Sequence, residues 1–339
     1  MTERVGIMAA GNIVRDQNKR LERFPEKNGL VRCVEMHACA GGGAANVGLT
    51  LAALAPEMPV EVLCRLGADA AGDELLACLK SAPNIDTGHV IRGGQTAFAD
   101  VLTEQGSDTR SFVYFPGENA RLDIDDFFLR PVKSRIVHIG YILALDALDT
   151  SDAGFGTRMA RLLRNLRAEG IETSVDVVSE ASDRYRDKVP PCLPYADHLF
   201  LNEIEAGRTV GMDLRTENGA IDLNAVEGSL RALVRMGAAG KVMIHMPEGA
   251  MGIDARTGET AFVPAAVLPD GFIAATVGAG DAFAAGALIG AHQGKDLRGM
   301  LEDGAAAATA CLQSETPVAQ MTIGQARSLY SGLPKLNIK

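Results

Sequence analysis

Short apolar stretches alternate with longer segments of helical period along most of this chain. The candidate buried strands are Val5–Ala9, Val60–Arg65, Ile136–Ile139, Thr173–Val177, His198–Leu201 and Lys241–His245. Between them, apolar positions recur at helical spacing over Ala45–Ala55, Asp73–Lys80, Gly156–Glu169 and Ala225–Met236. Short apolar strands separated by such helices predict βαβ units around a parallel sheet, an α/β fold. Helix-rich sequence closes the chain, from Asp281 to about Leu312 and again near Gln325. Two stretches, Lys19–Ala40 and Gly93–Phe115, carry strand-like alternation with no helix. Such strands need partners, and pairing the two stretches with each other gives one small extra sheet. No internal repeat, linker or low-complexity segment interrupts the pattern.

Composition narrows the function. The chain has 339 residues, 47% hydrophobic and 22% charged, as expected of a globular protein with a sizeable core. Its formal net charge of −10 argues against nucleic acid as the main partner. Arg158, Arg161, Arg164 and Arg167 recur at three-residue spacing and predict one solvated helix face. The six cysteines show no C-x-x-C spacing and no signal-peptide pattern precedes them, which predicts reduced thiols and a cytoplasmic protein. No apolar run reaches about 18 residues, so no membrane span is expected. The six histidines lack H-E-x-x-H spacing, so no zinc site is expected.

The most informative segment is Ala275-Thr276-Val277-Gly278-Ala279-Gly280-Asp281. It precedes a run of small apolar residues that reads as a buried helix, so its glycines fall at a helix N-terminus. Unpaired N–H groups and the positive end of the helix dipole favour an anion there. Glycine also lets the backbone approach a ligand closely. A carboxylate, Asp281, beside such a site is unfavourable unless it has a task, and proton abstraction is the obvious one. Helix capping is the plain alternative for an Asp at this position.

Five segments in order resemble the signatures of the PfkB carbohydrate kinases, the ribokinase-like family. Gly11-Asn12-Ile13-Val14-Arg15-Asp16 matches its G-x-x-x-x-D, and Gly41-Gly42-Gly43-Ala44-Ala45-Asn46 its G-G-x-x-x-N. Gly67 to Gly72 resembles its G-x-D-x-x-G, Asn202 to Glu205 its N-x-x-E, and Thr276 to Phe283 its second signature. The resemblance spans roughly Val5 to Thr309. It implies a three-layer α/β/α core with a mostly parallel sheet. It further implies a single domain over 1–339, with a β-sheet lid from about 12–40 and 93–118. Asp281 would be the general base, and the backbone of Gly278, Ala279 and Gly280 the anion hole. Asp16, Gly41, Gly42, Gly43 and Asn46 would bind sugar hydroxyls, with Arg110 and Asn119 at lid and pocket positions. ATP and Mg²⁺ are the implied cofactors, Thr276, Gly249 and Gly304 the nucleotide contacts, and Asn202 and Glu205 the Mg²⁺ site. The implied partner is a sugar-like small molecule, and in some relatives the lid also forms a dimer.

The chain departs from the family pattern in two places. Ala275 stands where the signature usually has Asp, which argues against activation by a monovalent cation. The nucleotide loop usually reads G-x-x-G; here it is Met246-Pro247-Glu248-Gly249, and only Gly249 is retained. Three readings follow: a kinase of a sugar or sugar derivative, a kinase of a nucleoside or sugar phosphate, and a sensor of sugar or nucleotide without turnover. The low aromatic content of 5% speaks against a nucleobase slot.

Overall fold

Alternation along the first strand sets the architecture. The computed structural model describes residues 4–106 and 110–338, and for Arg110 the backbone alone. In β1 (Ile7–Gly11), Ile7 and Ala9 join one buried cluster while Met8 and Ala10 join another. A strand buried on both faces needs a layer of helices on each, which is why these segments lack apolar–polar alternation.

The chain turns from β1 straight into β2 (Val14–Leu21) and β3 (Cys33–Gly41), then forms α1 (Gly43–Leu54) and β4 (Val60–Leu66). Helix α2 (Ala70–Lys80) leads to β5 (Ile85–Arg92), β6 (Phe98–Glu104) and β7 (Arg110–Phe115), before the return on β8 (Ile136–Ile142). A short helix, α3 (Asp146–Asp149), and a small ribbon of β9 (Ser151–Asp152) and β10 (Gly156–Thr157) come next. They are followed by α4 (Arg158–Ala168), β11 (Glu172–Val177), α5 (Tyr185–Lys188), β12 (His198–Asn202), α6 (Glu203–Val210) and α7 (Leu223–Arg235). The hairpins β13 (Lys241–Met246), β14 (Gly249–Asp254) and β15 (Thr260–Pro264) precede α8 (Ala279–His292), α9 (Leu297–Cys311) and α10 (Ile323–Gly332).

The central sheet has nine strands in the order β15-β14-β13-β12-β11-β8-β1-β4-β5. Its strands pair in parallel except β14 and β15, which run antiparallel at one edge. One face is covered by α1, α8, α9 and α10 and the other by α4, α6 and α7. This is the expected three-layer α/β core. The two stretches without helix do pair with each other, as a four-stranded sheet in the order β3-β2-β6-β7.

Two details differ from the sequence expectations. Strands β5, β14 and β15 escaped notice because β5 is a half-buried edge and β14 is glycine-rich, so neither shows a long apolar run. The helix expected from Gly156 begins at Arg158, because Thr157 caps it by accepting from the Ala160 N–H. The arginine face of α4 is solvated as expected, with Arg158 also paired to Asp123, Arg161 to Asp152, and Arg161 lying over the Phe155 ring.

Small residues bring α8 against α9. A Cβ on Gly286 would lie 2.3 Å from the Asp303 carbonyl oxygen, and one on Gly304 would lie 2.6 Å from the Phe283 ring. Between them, the buried carboxylate of Asp303 is matched by Lys295 and Arg327.

Candidate active site

The carboxyl ends of the parallel strands converge with the N-terminus of α8, where ligands of open α/β sheets bind. Gly278 is the N-cap of α8, in the left-handed region at φ 84°. A Cβ there would lie 2.4 Å from the Pro317 carbonyl oxygen, so only glycine fits. No side chain caps this helix. The N–H groups of its first turn are therefore open to an anion. A Cβ on Gly280 would lie 2.9 Å from the His245 ring at the end of β13. Burial pulls His245 down to about 4, so that ring is neutral.

Asp281, in the first turn, is buried at 8% exposure. Its Oδ2 accepts from the Asn46 amide at 2.8 Å and its Oδ1 from the Tyr141 hydroxyl at 2.7 Å. Burial pushes its carboxyl up to about 6, against these two hydrogen bonds, which lower it. Asn46 reaches it from α1. The other end of that amide, Oδ1, is buried and has no hydrogen-bond partner among the described residues. A buried acceptor without a donor calls for a partner such as a water or a ligand group.

The glycine run is docked on the turn after β1. Gly42, at φ 88°, is the N-cap of α1. The Gly43 N–H donates to Asn12 Oδ1 at 3.0 Å and the Ala44 N–H to the Asn12 carbonyl. Gly43 therefore contributes space rather than a free N–H: a Cβ would lie 3.0 Å from the Tyr141 ring. Gly41 lies under Asp16, where a Cβ would come within 2.1 Å of the carboxylate. Burial pushes Asp16 up to about 6.

Asn202 and Glu205 form a capping box on α6. The Asn202 side chain accepts from the Ile204 and Glu205 N–H groups, and Glu205 accepts from the Asn202 N–H at 2.7 Å. Ser179 Oγ donates to Glu205 Oε1 at 2.7 Å. Burial first, then the negative charges of Glu203 and Asp281, push Glu205 up to about 7. Asp176, at the end of β11, is raised well above its usual range by burial and by the charges of Glu205 and Asp281. The charge of Asp281 thus raises both Asp176 and Glu205, and an all-oxygen set of this kind has the chemistry that a hard ion such as Mg²⁺ prefers. Among the described residues, no three acids, histidines or cysteines are close enough to hold a metal by themselves. Such an ion would need ligand and water oxygens to complete its shell.

Asn119, Arg110, Thr276, Gly249 and Gly304 complete the expected set. Asn119 is fully buried, and both ends of its amide bond the backbone of Ile13, so it fixes the turn that carries Asn12. Arg110 opens β7, and its side chain lies outside the described residues. Thr276 is exposed in the loop before α8. Gly249 starts β14, where a Cβ would lie 2.4 Å from the Val263 carbonyl oxygen. Gly304 is buried in the contact with Phe283, a packing role. Motif reading missed Tyr141, Asn12, Asp176 and His245. Asp176 and His245 lie within predicted strands, Tyr141 two residues beyond one, and position at a strand's carboxyl end was the only signal available.

A buried carboxylate thus sits in the first turn of an uncapped helix, beside the Asn46 amide and two further buried acids, Asp176 and Glu205. The chain belongs to the pfkB family of carbohydrate kinases, whose model matches residues 6–322. It is 25% identical over 287 residues to an ATP-dependent ribose-1-phosphate kinase of Halopiger xanaduensis, covering 83% of each chain. Its fold is similar to that of Arabidopsis thaliana ribokinase complexed with ribose and ATP, with a TM-score of 0.77, 19% identity and coverage of 96% of this chain and 98% of that one. It also resembles 2-dehydro-3-deoxygluconokinase of Thermotoga maritima, at a TM-score of 0.76 and 18% identity over 97% of this chain and all of the other, 100%. No described helix is long and apolar enough to cross a membrane.

Proposed function

We propose that this kinase transfers the γ-phosphoryl group of ATP to a primary hydroxyl of a sugar or sugar derivative, with Asp281 as general base. The observation that carries this reading is the placement of Asp281. It is buried, held on both oxygens, and set in the first turn of a helix whose N–H groups no side chain caps. The γ-phosphate would rest on the N–H groups at Gly278, Ala279 and Gly280. Asp281 accepts the proton of the acceptor hydroxyl as its oxygen attacks phosphorus in line, and the backbone N–H groups stabilise the charge on the transferring group. The acceptor would be held by Asp16 and by the free Oδ1 of Asn46. Glu205, Asp176 and Asn202 would hold Mg²⁺ largely through water, and that ion when bound neutralises phosphate charge. The small sheet, within 12–40 and 93–118, would act as the lid of a single kinase domain and exclude water during transfer. Its exposed Met36, Phe112 and Val113 are consistent with a dimer through the lid.

A second reading, a sugar phosphate as acceptor, is favoured by the name of the relative from Halopiger. The test is ADP release with Mg²⁺-ATP across pentoses, hexoses, keto-deoxy acids, sugar phosphates and nucleosides. Acceptor-dependent release, abolished in Asp281→Asn, is expected. Release that persists in that variant removes Asp281 from its role. No release with any acceptor, while sugar or nucleotide still binds, makes the protein a sensor.

A further inference from the structure

Asp281 occupies the third position of α8, and Glu205 the third position of α6. Glu205 reaches back to the N–H of its own N-cap residue, Asn202. A carboxylate at this position commonly does so. Asp281 does not; its two oxygens are held from outside the helix, one by Asn46 of α1 and one by Tyr141 of β8. We propose that Tyr141 is the positioning residue of Asp281. Its hydroxyl turns the carboxylate away from the helix's own N–H groups and toward the acceptor, leaving those groups free for phosphate. The proposal rests on the reading of Asp281 as general base.

The surroundings of Tyr141 are built for this placement. Its ring lies against Gly43, where any Cβ would approach within 3.0 Å. The chain just beyond it is strapped. Leu143 takes a left-handed conformation at φ 77°; its N–H donates to Asp149 Oδ1 at 3.1 Å, and its carbonyl accepts from Arg184 at 3.0 Å. A non-glycine residue keeps such a conformation only where its neighbours hold it. The terminal torsion of an aspartate is broad, so one donor on each oxygen is what fixes its plane. The other groups that face Asp281 are Asp176 of β11 and Glu205 of α6, both acids, the Cys311 thiol of α9, and the neutral His245 ring of β13 beside Gly280. The hydrogen bonds of Asn46 and Tyr141 lower the carboxyl against its burial.

The test is Tyr141→Phe, which keeps the ring and removes the donor. A hydrogen bond to a charged group lost only from the working geometry lowers kcat about tenfold, with both KM values within about threefold of the parent. The acidic limb of the kcat–pH profile moves up by roughly half to one pH unit, because the lost donor favoured the ionised base. A ring that only fills space leaves that limb in place, and an unmoved limb overturns the proposal. Asp281→Asn is measured in parallel. If it turns over normally, the reading of Asp281 itself fails. If it is inactive while the limb of Tyr141→Phe is unmoved, only the role of Tyr141 fails. Should Tyr141→Phe unfold, 3,5-difluorotyrosine placed at position 141 supplies a stronger donor. It should move the limb down, and no movement again overturns the proposal.

Discussion

Two helix N-termini face this site, and they are built in opposite ways. On α6, Asn202 caps the first turn with its side chain and Glu205 returns to the Asn202 N–H, so the helix end is closed. On α8, Gly278 brings no side chain, and the acid at the third position is held by Asn46 and Tyr141 instead. The closed end presents buried carboxylate and therefore suits a cation; the open end presents N–H groups and suits an anion. A single residue type at the N-cap, Asn or Gly, decides which. Phosphoryl transfer with a metal combines a cation with stabilisation of the charge on the transferring group.

Four changes would break or sharpen that contrast. The largest effect is expected from Asp281→Asn, with kcat down by about 10²–10⁴ and thermal stability kept, measured by steady-state kinetics and calorimetry. Gly278→Ala comes next. Its Cβ must displace Pro317 and its φ is unfavourable for alanine, so the open end is distorted. KM for ATP should rise and kcat should fall, together by about tenfold or more, with acceptor affinity measured by calorimetry unchanged. Glu205→Gln removes charge from the closed end. The Mg²⁺ concentration for half-maximal rate should rise several-fold, about the cost of one lost charged contact. Asn202→Ala is the smallest, a lost cap worth about 1 kcal/mol. In a chain of 339 residues that lowers Tm by about 1–2 °C, read by thermal unfolding.

The pH dependence of stability follows from the same carboxylates. Asp281 is raised from 3.8 to about 6 and Glu205 from 4.5 to about 7. The folded state holds these protons more tightly than the unfolded state, so their contribution is full at low pH and is lost as pH rises through those values. Buried His138 and His245, pulled down to about 3 and about 4, act in the opposite sense as pH falls below about 6.5. The apo protein should therefore gain stability from Glu205→Gln at pH 8 and gain little at pH 5. Equal gains at both values would contradict the burial assigned to that carboxylate.

The contrast also shows what the sequence could reveal. Gly278, Asp281, Asn202 and Glu205 are local signals, each a helix start with its motif, and the structure brings all four to the same strand ends. The central sheet was legible because strands buried on both faces leave apolar runs. Edge strands β5 and β15 leave weaker ones, and the glycines of β14 hide it. Asn119 holds the Ile13 backbone and Gly304 admits Phe283. Their neighbours are distant in sequence, so no local pattern records those roles. Tyr141 and Asp176 were missed for the same reason: each matters through a carboxylate on another element.

The most direct test of the account is a crystal structure of Asp281→Asn with Mg²⁺-ATP and the acceptor found in the panel, since that variant should bind both and stall. The account predicts the γ-phosphate on the N–H groups at Gly278–Gly280, the acceptor hydroxyl within hydrogen-bonding distance of residue 281, and the metal on the α6 side. A γ-phosphate placed away from α8, or an acceptor hydroxyl out of reach of residue 281, would contradict it.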